Sequence, residues 1–402
     1  MATFHIIGAG LAGLSAAVSL SGQGHRICVY ESTSQAGGRC RSFIDPILER
    51  EIDNGNHLLI GANHHSWRYV ERIGSTDQLH CPHDHLEFLH LDSLRKTRVR
   101  PPLWLPAAPV TEYLSLLRLV WASPSRTVQE VISSKNNSYR NFIEPFCVSA
   151  LNTHPQEASA SLLAATLRQS LRKSGKLSPF VPVQSWQRAL IDPATAFIQK
   201  EGGGFYYQHA LKKLISDQDR ITELQFPRTN VTVAAGDKVI LASPFSVTSE
   251  LCPEISVPQA YSPILNGHFV CDHDYPTGSI LGIIGGTIHW IFFKEGLIST
   301  TTSAADAYSD IAQDVLAAML WSELARALGI QHPLPEYRIV FEKRATFRAT
   351  PDNQAHRPPP ATHFTNLFLA GDYVQTSLPA CIEGAIASGH TAATLAITTV
   401  SH

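Results

Sequence analysis

The chain has 402 residues, of which 44% are hydrophobic and 16% charged, with a formal net charge of −2. A near-neutral balance excludes a nucleic-acid partner held by charge, and the length provides for about two to three domains around a large core. The seven cysteines are scattered and form no CxxC, which points to a reduced chain in the cytoplasm rather than a disulfide scaffold.

In chain order, residues 3–7 read as a β-strand, 11–21 as a helix and 26–30 as a second strand. That is β-α-β in about 30 residues, the smallest unit of a doubly wound nucleotide-binding sheet. The turn between strand and helix carries Gly8, Ala9, Gly10, Leu11, Ala12 and Gly13. Gly8 suits the tight turn, Gly10 the close approach of backbone to a pyrophosphate, and Gly13 the close packing of helix on strand. The helix beginning near Leu11 turns its free N–H groups toward the phosphates. Glu31 closes the second strand, where a carboxylate accepts hydrogen bonds from a ribose diol and repels a 2′-phosphate. This fingerprint alone does not choose between NAD and FAD.

The next segments begin to choose. "AGGRCRS" places Gly37, Gly38 and Arg39 in one short loop after Glu31, adding N–H groups and a guanidinium to the grip on a pyrophosphate. "DNGNHLLIGAN" follows, with Asn56 and His57. Residues 75–110 read as irregular and rich in His and Pro. Within them "HCPHDHLEFLH" carries His80, Cys81, His83, His85 and His90, at spacings that match no standard zinc pattern, so no metal is expected. "LRKTRVRPPLWLP" sets Arg95, Lys96, Arg98 and Arg100 near Trp104, either as a solvated loop or as a dock for lipid headgroups.

Helices are expected over 111–121 and within "SYRNFIEPFCVSALN" and "ASASLLAATLRQSLRKSG". "EGGGF" at 201–205 lacks a strand–helix context and reads as a turn. "KVILASP" at 238–244 reads as a buried strand. "SILGIIGGTIHWIFF", residues 279–293, is shorter than the ~18 apolar residues of a spanning helix, and its central glycines read as strand, turn, strand. Residues 306–328 read as one long helix and "RPPP" at 357–360 as a stiff connector. "NLFLAGDY" reads as strand into loop and "ACIEGAIASGHTAATLAI" as a closing helix.

Nucleotide-type strands thus lie at the start, middle and end of the chain. The expected fold class is α/β: a discontinuous Rossmann-type FAD-binding domain, residues 1–75, 205–265 and 360–402, with an inserted α+β substrate domain, residues 76–204 and 266–359. FAD is the expected cofactor, because "FLAGDY", with Gly371 and Asp372, resembles the C-terminal flavin motif of the flavoprotein amine oxidase and phytoene desaturase superfamily, and "GGRCRS" resembles its arginine loop.

"DNGNHLLIGAN", "EPFCVSALNTHPQEASASLL", "EKRATFRATP" and "NLFLAGDYVQTSLPACIEGAIASGHTAA" together resemble the hydroxysqualene dehydroxylases, also described as squalene-associated FAD-dependent desaturases, of squalene and hopanoid biosynthesis. The resemblance implies that Asp372 holds the ribityl or pyrophosphate end of FAD, that His57 lies near the flavin, that Leu211 replaces a valine beside the adenine, and that the stretch from Thr376 through Ala380 to Ile382 runs along the isoalloxazine. The chain departs from the family in Tyr373, where a Trp is usual, and in Asn56, where a Gln is usual.

The reaction so implied is hydride transfer from reduced FAD to an allylic cation, converting hydroxysqualene to squalene. It calls for a dry apolar tunnel and aromatic faces; Trp67, Trp104, Trp121, Trp186, Trp290, Phe292 and Tyr373 form the pool. No catalytic residue is assigned; His57, Lys343, Arg344 and Glu383 are the groups considered as proton donors. The implied partners are a hydrophobic isoprenoid and, given its insolubility, a membrane surface on the inner face or the upstream squalene-pathway enzymes. A desaturase of a squalene- or carotenoid-like chain, a prenyl carrier without flavin and an amine oxidase remain as alternatives.

Overall fold

A computed structural model describes residues 1–99, 118–135, 139–171 and 178–399. Its centre is a five-stranded parallel sheet of β1 (Thr3–Ile7), β2 (Arg26–Tyr30), β3 (Gly204–Tyr206), β4 (Lys238–Leu241) and β5 (Leu367–Leu369), in the order β3-β2-β1-β4-β5. Apart from short β3 and the first residues of β1 and β2, these strands are buried, as a parallel sheet covered on both faces requires. The stretch read as a turn at 201–205 therefore ends in an edge strand. Gly202, at φ +86°, makes the turn, and pairing begins at Gly204 opposite Cys28.

Helix α1 (Leu11–Leu20) and the closing helix α3 (Ile382–Thr398) pack side by side against this sheet; α2 (His64–Ile73) packs beside both. Small residues set these distances. A Cβ at Gly13 would stand 1.9 Å from the Gly8 carbonyl oxygen, and one at Gly389 would stand 2.0 Å from that of Ala12. Trp186, Leu190, Ala194 and Ile198 share the buried cluster of α1, so residues 186–198 pack with the nucleotide sheet, although they precede the boundary drawn at 205 from the sequence.

A seven-stranded sheet faces the nucleotide unit. Its order is Tyr337–Phe347, Tyr261–Val270, Leu297–Ser303, Trp290–Lys294, Ile280–Ile284, Leu86–His90 and Arg95–Val99. All its neighbours are antiparallel except Ile280–Ile284 with Leu86–His90. "SILGIIGGTIHWIFF" forms two of these strands, with Gly285 at φ +83° in the turn. One face of the sheet, with Leu89, Leu265, Ile291 and Phe293, buries against the helix Gln313–Leu328.

Two expectations change in detail. Residues 306–328 are not one helix: a 3-10 turn, Ala305–Tyr308, precedes the helix Gln313–Leu328, because Ser309 and Asp310 favour turns over helix interiors. The region read as irregular contains the strands Leu79–His80, Leu86–His90 and Arg95–Val99. Most of the helix expected over 111–121, and Arg100 and Trp104, lie outside the described residues.

Candidate functional site

One cavity of about 1420 Å³ runs from the carboxyl ends of the parallel strands to the seven-stranded sheet. Ligands of doubly wound sheets bind at that strand end. Of the fifteen residues singled out as cofactor-binding, Gly8, Gly10, Leu11, Ala12, Glu31, Gly38, Arg39, His57, Leu211, Gly371, Asp372, Ala380 and Ile382 line it. Ala9 and Gly13 do not; Gly13 serves the helix–strand contact described above, and Ala9 acts through its backbone N–H, which donates to Glu31 Oε2 at 2.8 Å.

The dinucleotide end is built from backbone. Gly10 is the N-cap of α1 and no side chain caps that helix, so its first N–H groups remain for an anion. A Cβ at Gly10 would meet no protein atom within 4 Å: the space beside it belongs to the cavity. The Gly37 N–H donates to the Ala9 carbonyl at 2.9 Å, which brings the arginine loop against the first glycine turn. The second oxygen of Glu31 accepts from Ser32 Oγ and from the N–H and Oγ1 of Thr33 at 2.9–3.0 Å, fixing the carboxylate at the end of β2. This cradle fits the ribose and pyrophosphate of FAD.

The two ends of the chain meet here. Arg39 donates to Asp372 Oδ1 at 2.8 Å and to the Ala345 carbonyl at 2.7 Å. The Gly371 N–H donates to Ser388 Oγ at 2.8 Å, which ties the Gly-Asp loop to α3. Arg357 organises the rest of that loop. It is 2% exposed and has no carboxylate hydrogen-bonded to it; it donates to the carbonyls of Asp372, Tyr373, Val374 and Leu378 and to Thr376 Oγ1 and Gln354 Oε1. Burial pushes its pKa down to about 10. "RPPP" is thus a buried anchor as well as a connector.

The opposite end is apolar and aromatic. Alternation along the strands turns Leu86, Phe88 and His90, then Trp290 and Phe292, toward the cavity. Phe142 and Phe146, one helical turn apart, stack at 5.6 Å and complete the wall. Of the aromatic pool read from the sequence, Trp290 and Phe292 reach the cavity. Tyr373 is buried behind it with its hydroxyl on Thr248 Oγ1 at 2.8 Å. Trp186 sits behind His57, Trp67 packs on Phe180, and Trp121 is 76% exposed. Phe88, Phe142 and Phe146 were not picked out; the i, i+4 spacing of the two helical phenylalanines was the available signal.

The candidate proton donors separate clearly. Glu383 accepts from the N–H groups of His65 and Ser66 and from Ser66 Oγ at 2.7–3.0 Å, so it caps α2. Arg344 lines the cavity and its strand neighbour Lys343 does not. His57 lines the cavity with its Nε2 buried and unpartnered. Burial lowers its pKa, with the charge of Asp53 pulling the other way. Asn152, from the "ALNT" stretch, ends the helix Glu144–Leu151 in the left-handed conformation at φ +49°. Its side chain donates to the Ser262 carbonyl and Thr346 Oγ1 and accepts from the Ala304 N–H. Among the described residues no His, Cys, Asp and Glu side chains are grouped to hold a metal ion. Lys96 and Arg98 pair with Glu87.

Residues 11–397 match the model of the flavin-containing amine oxidoreductases. Hydroxysqualene dehydroxylases from Zymomonas mobilis and Sinorhizobium fredii are each 37% identical to the chain, the first over 99% of both chains and the second over 98%. The chain belongs to the hydroxysqualene dehydroxylase family. Like the rest of that family it is an FAD-dependent oxidoreductase. A 15-cis-phytoene desaturase from an Oncidium hybrid is more distant, at 26% identity over 96% of this chain and 76% of its own. Putrescine oxidase and the cyclohexylamine oxidase of Brevibacterium oxydans superpose with a TM-score of 0.73 at 15% and 14% identity, covering at least 99% of each chain; they share the fold. No helix among the described residues of this dehydroxylase-family chain is long and apolar enough to cross a membrane.

Proposed function

We propose that the protein converts hydroxysqualene to squalene: R–OH, two electrons and two protons give R–H and water. Reduced FAD supplies the hydride. The observation that carries the reading is one continuous cavity, with a dinucleotide cradle at one end and Phe88, Phe142, Phe146, Trp290 and Phe292 at the other. An apolar wall keeps water from a carbon that loses hydroxide, and aromatic faces stabilise the positive charge that develops.

In this reading Gly8 to Gly13 and Glu31 hold the AMP half of FAD, Gly38, Arg39 and Asp372 its pyrophosphate and ribityl end, and Ala380 and Ile382 the isoalloxazine, with Leu211 near the adenine. The discontinuous division into an FAD-binding part and an inserted substrate part belongs to the same proposal. So does uptake of substrate from a lipid surface, which is supported by exposed Trp121 next to cavity-lining Val120.

Anaerobic incubation of the reduced, FAD-loaded protein with hydroxysqualene in detergent or liposomes is expected to yield squalene. Absence of squalene under reduction, with dehydrogenated products under oxidation, would show that electrons flow the other way.

A further inference from the structure

The proposed reaction consumes a proton and releases a water molecule inside a wall built to be dry, so both need a path that bypasses the hydrocarbon. A second cavity, of about 310 Å³, lies behind the first, and Asn56, His57 and Phe292 line both. Unlike the apolar end of the first, it carries buried charged groups. Asp53 accepts from Lys294 Nζ, Ser42 Oγ and the Trp186 N–H at 2.5–3.1 Å. Burial pushes the Asp53 pKa up, but Lys294 outweighs it and holds the carboxyl below its ordinary range. Arg50, Glu51 and Glu295 also line it, and Arg50 and Glu51 take part in exposed contacts with solvent-facing groups.

His57 stands in the shared wall. Its ring packs edge-on against Trp186 at 6.2 Å, and its Nε2 is fully buried without a hydrogen-bond partner. An orphaned buried imidazole nitrogen carries the cost of its lost hydration, and here the ring that bears it stands in the wall between two cavities. The groups acting on the ring are Asp53 from the strand Arg50–Asp53 and, through both its backbone and its charge, Arg39 from the turn Gly38–Cys40; Lys294 is paired with Asp53.

From this geometry we infer that His57 is the proton relay of the site, and that the cleft holding Asp53 and Lys294 is the route by which the proton enters and the product water leaves. The imidazolium gives a ring proton to the departing hydroxyl; the C–O bond breaks, water forms, and the carbon accepts the hydride. The neutral ring is then reprotonated from the cleft. The inference rests on the proposed dehydroxylation and assigns it a residue.

The test uses the reduced holoenzyme mixed with hydroxysqualene, following flavin reoxidation in one turnover across pH. His57→Ala is expected to retain stoichiometric FAD and to slow reoxidation by about 100-fold or more, the usual contribution of a general acid. Added imidazole, entering the vacated space from the cleft, is expected to recover at least tenfold. A wild-type rate in His57→Ala, or a slow FAD-loaded variant that imidazole does not rescue, overturns the relay. A second arm needs no turnover. In the apoprotein, ¹⁵N NMR of the His57 ring in Lys294→Met is expected to show a shifted titration, because Asp53 loses the counter-charge that keeps it ionised beside the ring; an unmoved titration overturns the link between cleft and ring. If the wild-type enzyme itself is not reoxidised by hydroxysqualene, the substrate reading fails, and the NMR arm still decides whether cleft and ring are coupled.

Discussion

Replacing Arg357 by Met removes the guanidinium and keeps most of the stem. The six acceptors around it share five N–H donors. At about 1.5 kcal/mol each, the low end for bonds from a charged group, they contribute on the order of 7 kcal/mol. Against this stands the burial of the cation. Lowering its pKa from 12.5 to about 10 corresponds to roughly 3 kcal/mol at about 1.4 kcal/mol per unit. The expected net loss is about 4 kcal/mol, within the range for a broken buried polar network. With an unfolding entropy of about 2 cal/mol/K per residue, a chain of this length loses about 5 °C in Tm for that amount. The same loop lines the cofactor cradle at Asp372, so the FAD-loaded protein is expected to lose more than the apoprotein. Differential scanning calorimetry with and without FAD measures both. Arg357→Lys keeps the charge but not the fork and is expected to recover less than half of the loss. A Tm within about 1 °C of the parent in both states, with FAD still stoichiometric, would refute the idea that Arg357 shapes the loop.

Two glycines of the first turn are expected to fail in opposite ways. Gly10→Ala places its methyl in open cavity, so the apoprotein melts within about 2 °C of the parent while FAD affinity, read by fluorescence titration, falls at least about tenfold; parental affinity in this variant would count against the cradle. Gly13→Ala drives its methyl into the Gly8 carbonyl, and overpacking of about 1–3 kcal/mol or more lowers the apoprotein Tm before any ligand is added. Acid is expected to destabilise the protein through His268 and His289, each pushed down to about 4 by burial; His289 Nδ1 already accepts from the Ser303 N–H. Their unfolded pKa is about 6.5, so the unfolded chain binds protons first as the pH falls. The stability is complete above about pH 6.5 and is lost down to about pH 4, by roughly 3 kcal/mol per histidine. The double variant with Gln at both positions should show a flatter Tm–pH curve over that window, and an equally steep one would rule these two residues out.

The legible parts of this protein are those whose chemistry depends on neighbours in sequence. The glycine turn, the acid at the end of β2 and the Gly-Asp loop each carry their geometry in a few consecutive residues, and they converge on one cavity. The ion pair of Arg39 with Asp372 was not visible as a pair, because more than 300 residues separate its members. Asp53 and Lys294 were invisible for the same reason: each looks like an ordinary strand charge until the strands are placed. "RPPP" misdirects, since three prolines advertise stiffness and the arginine beside them does the anchoring. Glu383, considered as a proton donor because the closing helix runs beside the flavin, proves to be a cap for α2, which depends on where that helix starts in space. The aromatic wall was only half legible, because choosing which rings face inward requires the strand register and the sheet's inner face.

The parallel sheet also fixes an order of events during synthesis. β1 ends at Ile7, but its second neighbour β4 begins at Lys238, and β5 begins at Leu367. At about 5–20 residues per second, the apolar edge of β1 waits on the order of ten seconds or more for β4. The cradle is not complete until Asp372, Ser388 and Gly389 have been made and α3 has closed over α1. The nascent chain therefore has no complete cradle for the cofactor while this edge of β1 is open, the interval in which an unpaired strand edge is exposed to aggregation. Once the closing helix docks, each tenfold excess of FAD over its Kd adds about 1.4 kcal/mol. The cofactor then adds to the stability of the finished fold as well as to its chemistry.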